Sequence, residues 1–181
     1  MVDDERRHLA DLLTAVERCV FFLEGARSGI AWPLTGEELA ARNRDVDLFT
    51  NLSAINERFA QLQDTLGTAM RHAARLAGEP SDTFLRVLAY FEKVAVLNSM
   101  EDWQAMRVLR NLAAHEYGTN YATIVEHFNA VNDIIPSLYK IAGNFSCFCK
   151  DNLKIAPSTN EFSQDFQKIT DTACQLNQAR F

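Results

Sequence analysis

The sequence predicts an all-α fold, an antiparallel bundle of about five to six helices with an additional C-terminal helical tail. Three observations predict it. Apolar residues recur at steps of three and four along most of the chain. No run of β-branched residues alternates with polar ones, as a half-buried strand requires. Glycine and proline number only 7 and 4 in 181 residues, and Gly78, Pro80 and Pro157 fall where a helical pattern stops.

The elements follow in order. From Asp3 to about Glu24, Leu9, Leu12, Leu13, Val16, Val20 and Leu23 form one helical face. The stretch GARSGIAWPLTGEE reads as a loop, with a short helix restarting at Thr35, where Thr35-Gly-Glu-Glu38 has capping-box spacing. A long helix begins around Asp47 and carries Leu48, Leu52, Ile55, Phe59, Leu62, Leu66 and Met70 before ending near Gly78 and Pro80. The next starts after Ser81 or Asp82, with Phe84, Leu88, Phe91 and Ala95 on its stripe. Ser99-Met-Glu-Asp102 caps another, through Trp103, Met106, Leu109 and Ala113 to a close at Gly118. Asn120 caps a helix through Ile124, Phe128, Val131, Ile135 and Leu138, in which Pro136 predicts a kink. Ser158-Thr-Asn-Glu161 caps a last amphipathic stretch with Phe162, Phe166, Ile169 and Ala173.

With 48% apolar and 23% charged residues, the chain is long enough for one real core, so residues 1–181 are read as one domain. That balance excludes disorder and a disulfide-dense miniprotein. No apolar run approaches the roughly 18 residues of a membrane helix, and MVDDERRHLADLL has no signal-peptide pattern. The expectation is a soluble, cytoplasmic protein with no membrane partner. A net charge of −6 and a pI of about 5.2 exclude a strongly basic nucleic-acid binder, leaving RNA only a local basic cleft.

Most catalytic signatures are absent. There is no phosphate-cradling glycine loop and no G-x-S-x-G. His115-Glu116 begins like a zinc-protease motif, but position 119 is Thr, so the second ligand on that helix face is missing. Cys147 and Cys149 form C-x-C with no His nearby; with Cys19 and Cys174 they read as reduced thiols. Neither a metal nor another cofactor is expected. The Phe-rich tail (Phe145, Phe148, Phe162, Phe166) reads as packing or oligomer contact. His8 and His72 show no partner pattern, and His127 reads as a surface residue.

One segment stands apart: Arg107-Val-Leu-Arg110-Asn111-Leu-Ala-Ala-His115-Glu-Tyr117. On a helix Met106, Leu109, Leu112 and Ala113 make the core face. Arg107, Arg110, Ala114 and Tyr117 make a neighbouring face. His115 sits well around a regular helix from Arg110, so convergence needs a frayed end at Gly118 or a second copy of the chain. The chemistry that uses these side chains is metal-free phosphodiester cleavage. An Arg pairs with a phosphate through two hydrogen bonds and stabilises added negative charge. A His with a pKa near about 6.5 takes a proton from a ribose 2′-OH or gives one to the leaving oxygen. The bare Arg-x4-His spacing fits equally a surface ion pair and a helix-terminal His that favours the dipole.

The fuller pattern, Arg110-Asn111-x-x-x-His115-x-Tyr117, resembles the signature of the HEPN superfamily: Arg, a polar residue, three variable residues, His. The appended x-Tyr resembles the HepT-like toxins of HEPN/minimal-nucleotidyltransferase toxin-antitoxin systems. Asn51 to Asp64 resembles the long helix before the motif in that group, and Phe91-Glu92-Lys93 with Asp102-Trp103 resembles the lead-in. The resemblance covers residues 45–140 as a HEPN-like core. Residues 1–44 are then an N-terminal helix and loop, and residues 141–181 a C-terminal helical extension.

The resemblance implies a metal-independent endoribonuclease acting as a homodimer, with both Arg/His sets in a shared cleft and 2′,3′-cyclic phosphate products. By it, Arg110 stabilises the phosphate, His115 is the general acid/base, Asn111 assists, and Tyr117 is the tyrosine that a nucleotidyltransferase antitoxin modifies with AMP. Arg107, one turn before Arg110, is placed against RNA backbone by helical spacing alone. The superfamily also contains inactive members that serve as binding subunits of a nucleotidyltransferase, and this remains the alternative.

Overall fold

Among the described residues the chain forms seven α-helices and no strand: α1 (Val2–Ser28), α2 (Gly36–Ala41), α3 (Val46–Leu76), α4 (Phe84–Lys93), α5 (Met100–Ala113), α6 (Tyr121–Phe148) and α7 (Ser163–Gln178). This computed structural model describes residues 2–113 and 120–178, with side chains over 3–110 and 120–175. The all-α expectation holds, and it holds for the reason the periodicity gave. Leu9, Leu13, Val16, Val20 and Leu23 of α1 and Leu48, Leu52, Ile55, Phe59, Leu62 and Leu66 of α3 are all 3% exposed or less. One contiguous core cluster runs from Leu9 to Ala173.

The α1–α3 pair is the most extensive in the bundle, and its cross-contacts fix its direction. Glu5 pairs with Arg75, the ring of His8 meets that of His72, and Arg58 stacks on Phe22. Positions rising along α1 meet positions falling along α3, so the two run antiparallel. α6 crosses to α3 through His127, whose Nε2 lies 2.9 Å from Asn56 Oδ1. α7 closes on α6 where Gly143 removes a side chain: a Cβ there would stand 3.1 Å from Thr170 Cβ.

The caps at Thr35, Ser99 and Asn120 are those the sequence named, while Asp45 and Thr83 cap helices whose starts the sequence placed only approximately. Thr35 and Glu38 form both halves of the capping box on α2. Asp45 caps α3, Thr83 caps α4, Ser99 Oγ accepts from Asp102 N–H at the start of α5, and Asn120 caps α6. The close expected at Gly118 lies outside the described residues.

Three details differ from the expectation. α1 runs on through Gly25 to Ser28, because Ala26 and Ile30 also join the core. Ala95 does not extend the α4 stripe. It takes φ 58° after the helix ends, and the chain turns so that Val96 and Leu97 both donate to Phe91 O. α6 continues through Pro136 to Phe148, before a π-helical turn over Cys149–Leu153. Val131, Ile135, Leu138 and Tyr139 are each 1% exposed or less. Burial at about 1.5–3 kcal/mol per large side chain outweighs the ~3 kcal/mol cost of proline in a helix. Finally, Ser158 does not cap α7. Its N–H donates to Ala10 O, and its hydroxyl shares a 3.0 Å hydrogen bond with Thr14 Oγ1, so it fastens the linker to α1.

Candidate functional site

The site begins with a stripe on α3. Gln63, Asp64, Gly67, Thr68, Arg71 and His72 recur at the helical repeat and share one face. Trp103, Arg107 and Arg110 of α5 face them, and Phe84, the first residue of α4, closes one end. Together they line a groove of about 400 Å³. Gly67 is what lets the wall come close. A Cβ there would lie 3.3 Å from Phe84 Cζ, tighter than most Cβ contacts, and 3.6 Å from Trp103 Cζ2, an ordinary contact.

Trp103 belongs to the floor and to the core at once. It is 1% exposed, with its ring centroid 5.9 Å from that of Phe84. Its carbonyl accepts from Gln63 Nε2 at 3.3 Å. On the rim, Arg110 donates to Asp64 Oδ1 at 2.5 Å, an α5-to-α3 ion pair with Asp64 well exposed. Arg107 is exposed and makes no hydrogen bond or ion pair among the described residues. Arg71 is also exposed, with its guanidinium 5.7 Å from the Phe84 ring centroid, a cation–π contact rather than an ion pair. Among the described residues, three arginines thus share this small groove with a single carboxylate, in a chain whose net charge is −6.

Beneath the rim sit polar atoms without partners. Among the described residues, Gln63 Oε1, Trp103 Nε1 and His72 Nδ1 are buried side-chain atoms with no hydrogen-bond partner, and all three residues line this groove. Burial holds the His72 pKa below the ordinary histidine range, with the positive fields of His8 and Arg75 adding to the effect and Glu5 opposing it. A lowered folded pKa means that the unfolded chain binds the proton more readily. The contribution of neutral His72 to stability is therefore complete above the ordinary value of about 6.5 and is lost as pH falls through the folded value. An NMR titration of the His72 ring is expected to give a midpoint below about 6.5; one at or above it would contradict this environment.

The structure brings Arg107 and Arg110 to the groove, as helical spacing suggested. Asn111 is on α5, but its side chain is not among those described, and His115 and Tyr117 lie outside the described residues. Sequence reasoning missed Asp64, Arg71 and His72. Only the 64, 68, 72 repeat of polar residues beside the apolar stripe signalled them. His127 is half-buried against Asn56, away from the groove lining. Phe145, Phe148 and Phe166 are core residues, while Phe162 packs on Phe21 and Phe22. Among the described residues no cluster of His, Cys, Asp or Glu is placed to hold a metal ion, and no helix is long and apolar enough to cross a membrane.

No family model, no curated protein and no solved structure matches the chain.

Proposed function

We propose that the chain is a metal-independent endoribonuclease of the HepT-like, HEPN type, a cytoplasmic toxin that works as a homodimer and is silenced by a nucleotidyltransferase that places AMP on Tyr117. The observation that carries the reading is the setting of Arg110. α5, which carries Arg110 and Asn111 at the start of the pattern, turns Arg110 and Arg107 to an open groove, where an exposed carboxylate pairs with Arg110.

In the proposed reaction the ribose 2′-oxygen attacks the adjacent phosphorus and the bond from phosphorus to the 5′-oxygen breaks. The 2′-OH proton passes to a His115 imidazole, and the departing 5′-oxygen takes a proton from an imidazolium, supplied by the second protomer where the two sites share a cleft. Arg110 neutralises the charge that builds on the non-bridging oxygens, Asn111 orients the reacting groups and Arg107 holds the flanking backbone. The products are a 2′,3′-cyclic phosphate and a 5′-OH.

The test is cleavage of a defined RNA by the purified chain in excess EDTA, with the product ends identified. Cyclic-phosphate ends are expected. A folded protein that leaves the RNA intact, yet forms a stable complex with a nucleotidyltransferase, would replace this reading with that of an inactive HEPN binding subunit.

Asp64 competes with the phosphate for Arg110. Asp64→Asn is expected to lower the KM for RNA by a factor of about 1.4 to 5, the worth of an exposed ion pair of about 0.2–1 kcal/mol. Steady-state cleavage kinetics check this. A raised KM would mean that Asp64 positions Arg110 rather than occupying it.

A further inference from the structure

We propose that the cleft between the end of α1, the middle of α6 and α7 is a binding site for a free α-amino acid with an apolar side chain. Its ammonium would lie at Asp165 and Glu24, and its carboxylate at Lys168 and the Tyr139 hydroxyl. The cleft shares no lining residue with the α3–α5 groove, so the inference goes beyond the cleavage reading and does not depend on it.

Glu24 and Arg27 come from α1, Tyr139 from α6, and Asp165, Lys168 and Ile169 from α7. The volume is about 290 Å³, just under the roughly 300–1,000 Å³ of drug-sized sites, and suits a smaller ligand. Among the described residues Arg27 and Lys168 are balanced by Glu24 and Asp165, so the lining has no formal net charge. A phosphate or a polyamine meets a repelling charge beside each attracting one. A zwitterion does not.

The four charges are not equally available. Arg27 Nη1 lies 3.3 Å from each oxygen of Glu24, and its Nε donates to Asn132 Oδ1 at 2.8 Å. The side chains of Asp165 and Lys168 make no hydrogen bond or ion pair among the described residues. One helical turn apart, their Cβ atoms are separated by roughly 5–6 Å. That spacing matches a ligand whose ammonium and carboxylate are carried on a single carbon.

Tyr139 supplies the observation that points to a ligand. The residue is 1% exposed, yet its hydroxyl has no hydrogen-bond partner among the described residues. Such groups are rare in native proteins. Burial raises the phenol pKa, the Glu24 carboxylate adds to the rise and Arg27 opposes it, so the hydroxyl is a protonated donor beside the charged rim. The Glu24 oxygens are held by Arg27, and a ligand carboxylate would be the missing acceptor. Pro136, Ile169 and Ala173 add apolar surface, and the Thr172 hydroxyl already donates to Lys168 O. The remaining wall therefore takes an aliphatic side chain and has little for a polar one.

The full chain is titrated with L-leucine, L-isoleucine, L-valine and L-methionine. Three comparison ligands accompany them: L-leucinamide, which lacks the carboxylate, 4-methylpentanoate, which lacks the ammonium, and L-aspartate. Calorimetry gives the affinity, the Ile169 methyl signal reports this cleft, and the Trp103 indole N–H reports the α3–α5 groove. At least one of the four apolar amino acids is expected to saturate, shifting the Ile169 signal and leaving that of Trp103 in place. Leucinamide and 4-methylpentanoate should each bind at least about tenfold more weakly, the worth of one charge-assisted hydrogen bond. Lys168→Gln and Asp165→Asn, both exposed and unpaired, should each cost about tenfold with the fold intact. Tyr139→Phe should weaken binding about two- to tenfold and melt no lower than the wild type, because it removes a hydroxyl without a partner.

An Ile169 signal unmoved by all four, or binding unchanged in both Lys168→Gln and Asp165→Asn, would overturn the proposal. Leucinamide or 4-methylpentanoate binding as well as leucine would replace the zwitterion with a simple amine or carboxylate. Aspartate binding as well as leucine would overturn the apolar side-chain requirement. A Tyr139→Phe chain that melts several degrees below the wild type would mean that the hydroxyl is satisfied in the fold, and would remove it from the site.

Discussion

His115→Ala is expected to lower RNA cleavage by about 10²–10⁴-fold, and Arg110→Gln by about 10²–10³-fold, with both variants folded. The two magnitudes come from different chemistry. Loss of a general acid/base removes proton transfer at one oxygen, and the deficit is largest where the working pH lies near the pKa of the group. Loss of Arg110 removes charge stabilisation that strengthens only as the phosphorane forms, so kcat should fall more than KM rises. Stability gives the control. Arg110 has Asp64, an exposed partner, across the groove, and an exposed pair is worth about 0–1 kcal/mol. Arg110→Gln therefore keeps its fold while losing activity, and circular dichroism with thermal melting checks that. The double variant should be little worse than His115→Ala alone, because groups that act on one transition state are strongly non-additive. An Arg110→Gln enzyme that cleaves at the wild-type rate would remove the site from the groove.

The fold was legible in the sequence because its signals are local and repeated. Six steps of three and four from Leu48 to Met70 name the buried face of α3, and Thr35, Ser99 and Asn120 name helix starts through hydrogen bonds that span two or three residues. The misread details are those set by distant partners. Ser158 has the spacing of a cap, but Ala10 and Thr14 of α1 lie nearer than the N–H groups it was expected to bind.

The site divides in the same way. Arg107 and Arg110 share a helix face by spacing alone, and that was readable. Asp64, Arg71 and His72 come from a helix more than thirty residues earlier in sequence than Arg107 and Arg110, and nothing in their own neighbourhood marks them. His72 shows why. Its context is the ring of His8, more than sixty residues away in the chain, and the groove beside it. No local pattern encodes either.

Trp103→Ala is expected to cost about 3–5 kcal/mol of stability and to lower the melting temperature by about 6–20 °C for a chain of this size. The ring is 1% exposed, packs on Phe84 and lies against the position where Gly67 has no side chain. Its removal opens a cavity between α3, α4 and α5 that backbone relaxation fills only partly. Trp103→Phe tests a finer point. It keeps most of the apolar contact but deletes Nε1, a buried donor without a partner. The lost volume destabilises; the removed donor stabilises by relieving a desolvation cost of about 1–3 kcal/mol. The two nearly cancel, so Trp103→Phe should melt within a few degrees of the wild type. A Phe variant as unstable as the Ala variant would mean that the indole N–H is satisfied in the folded chain.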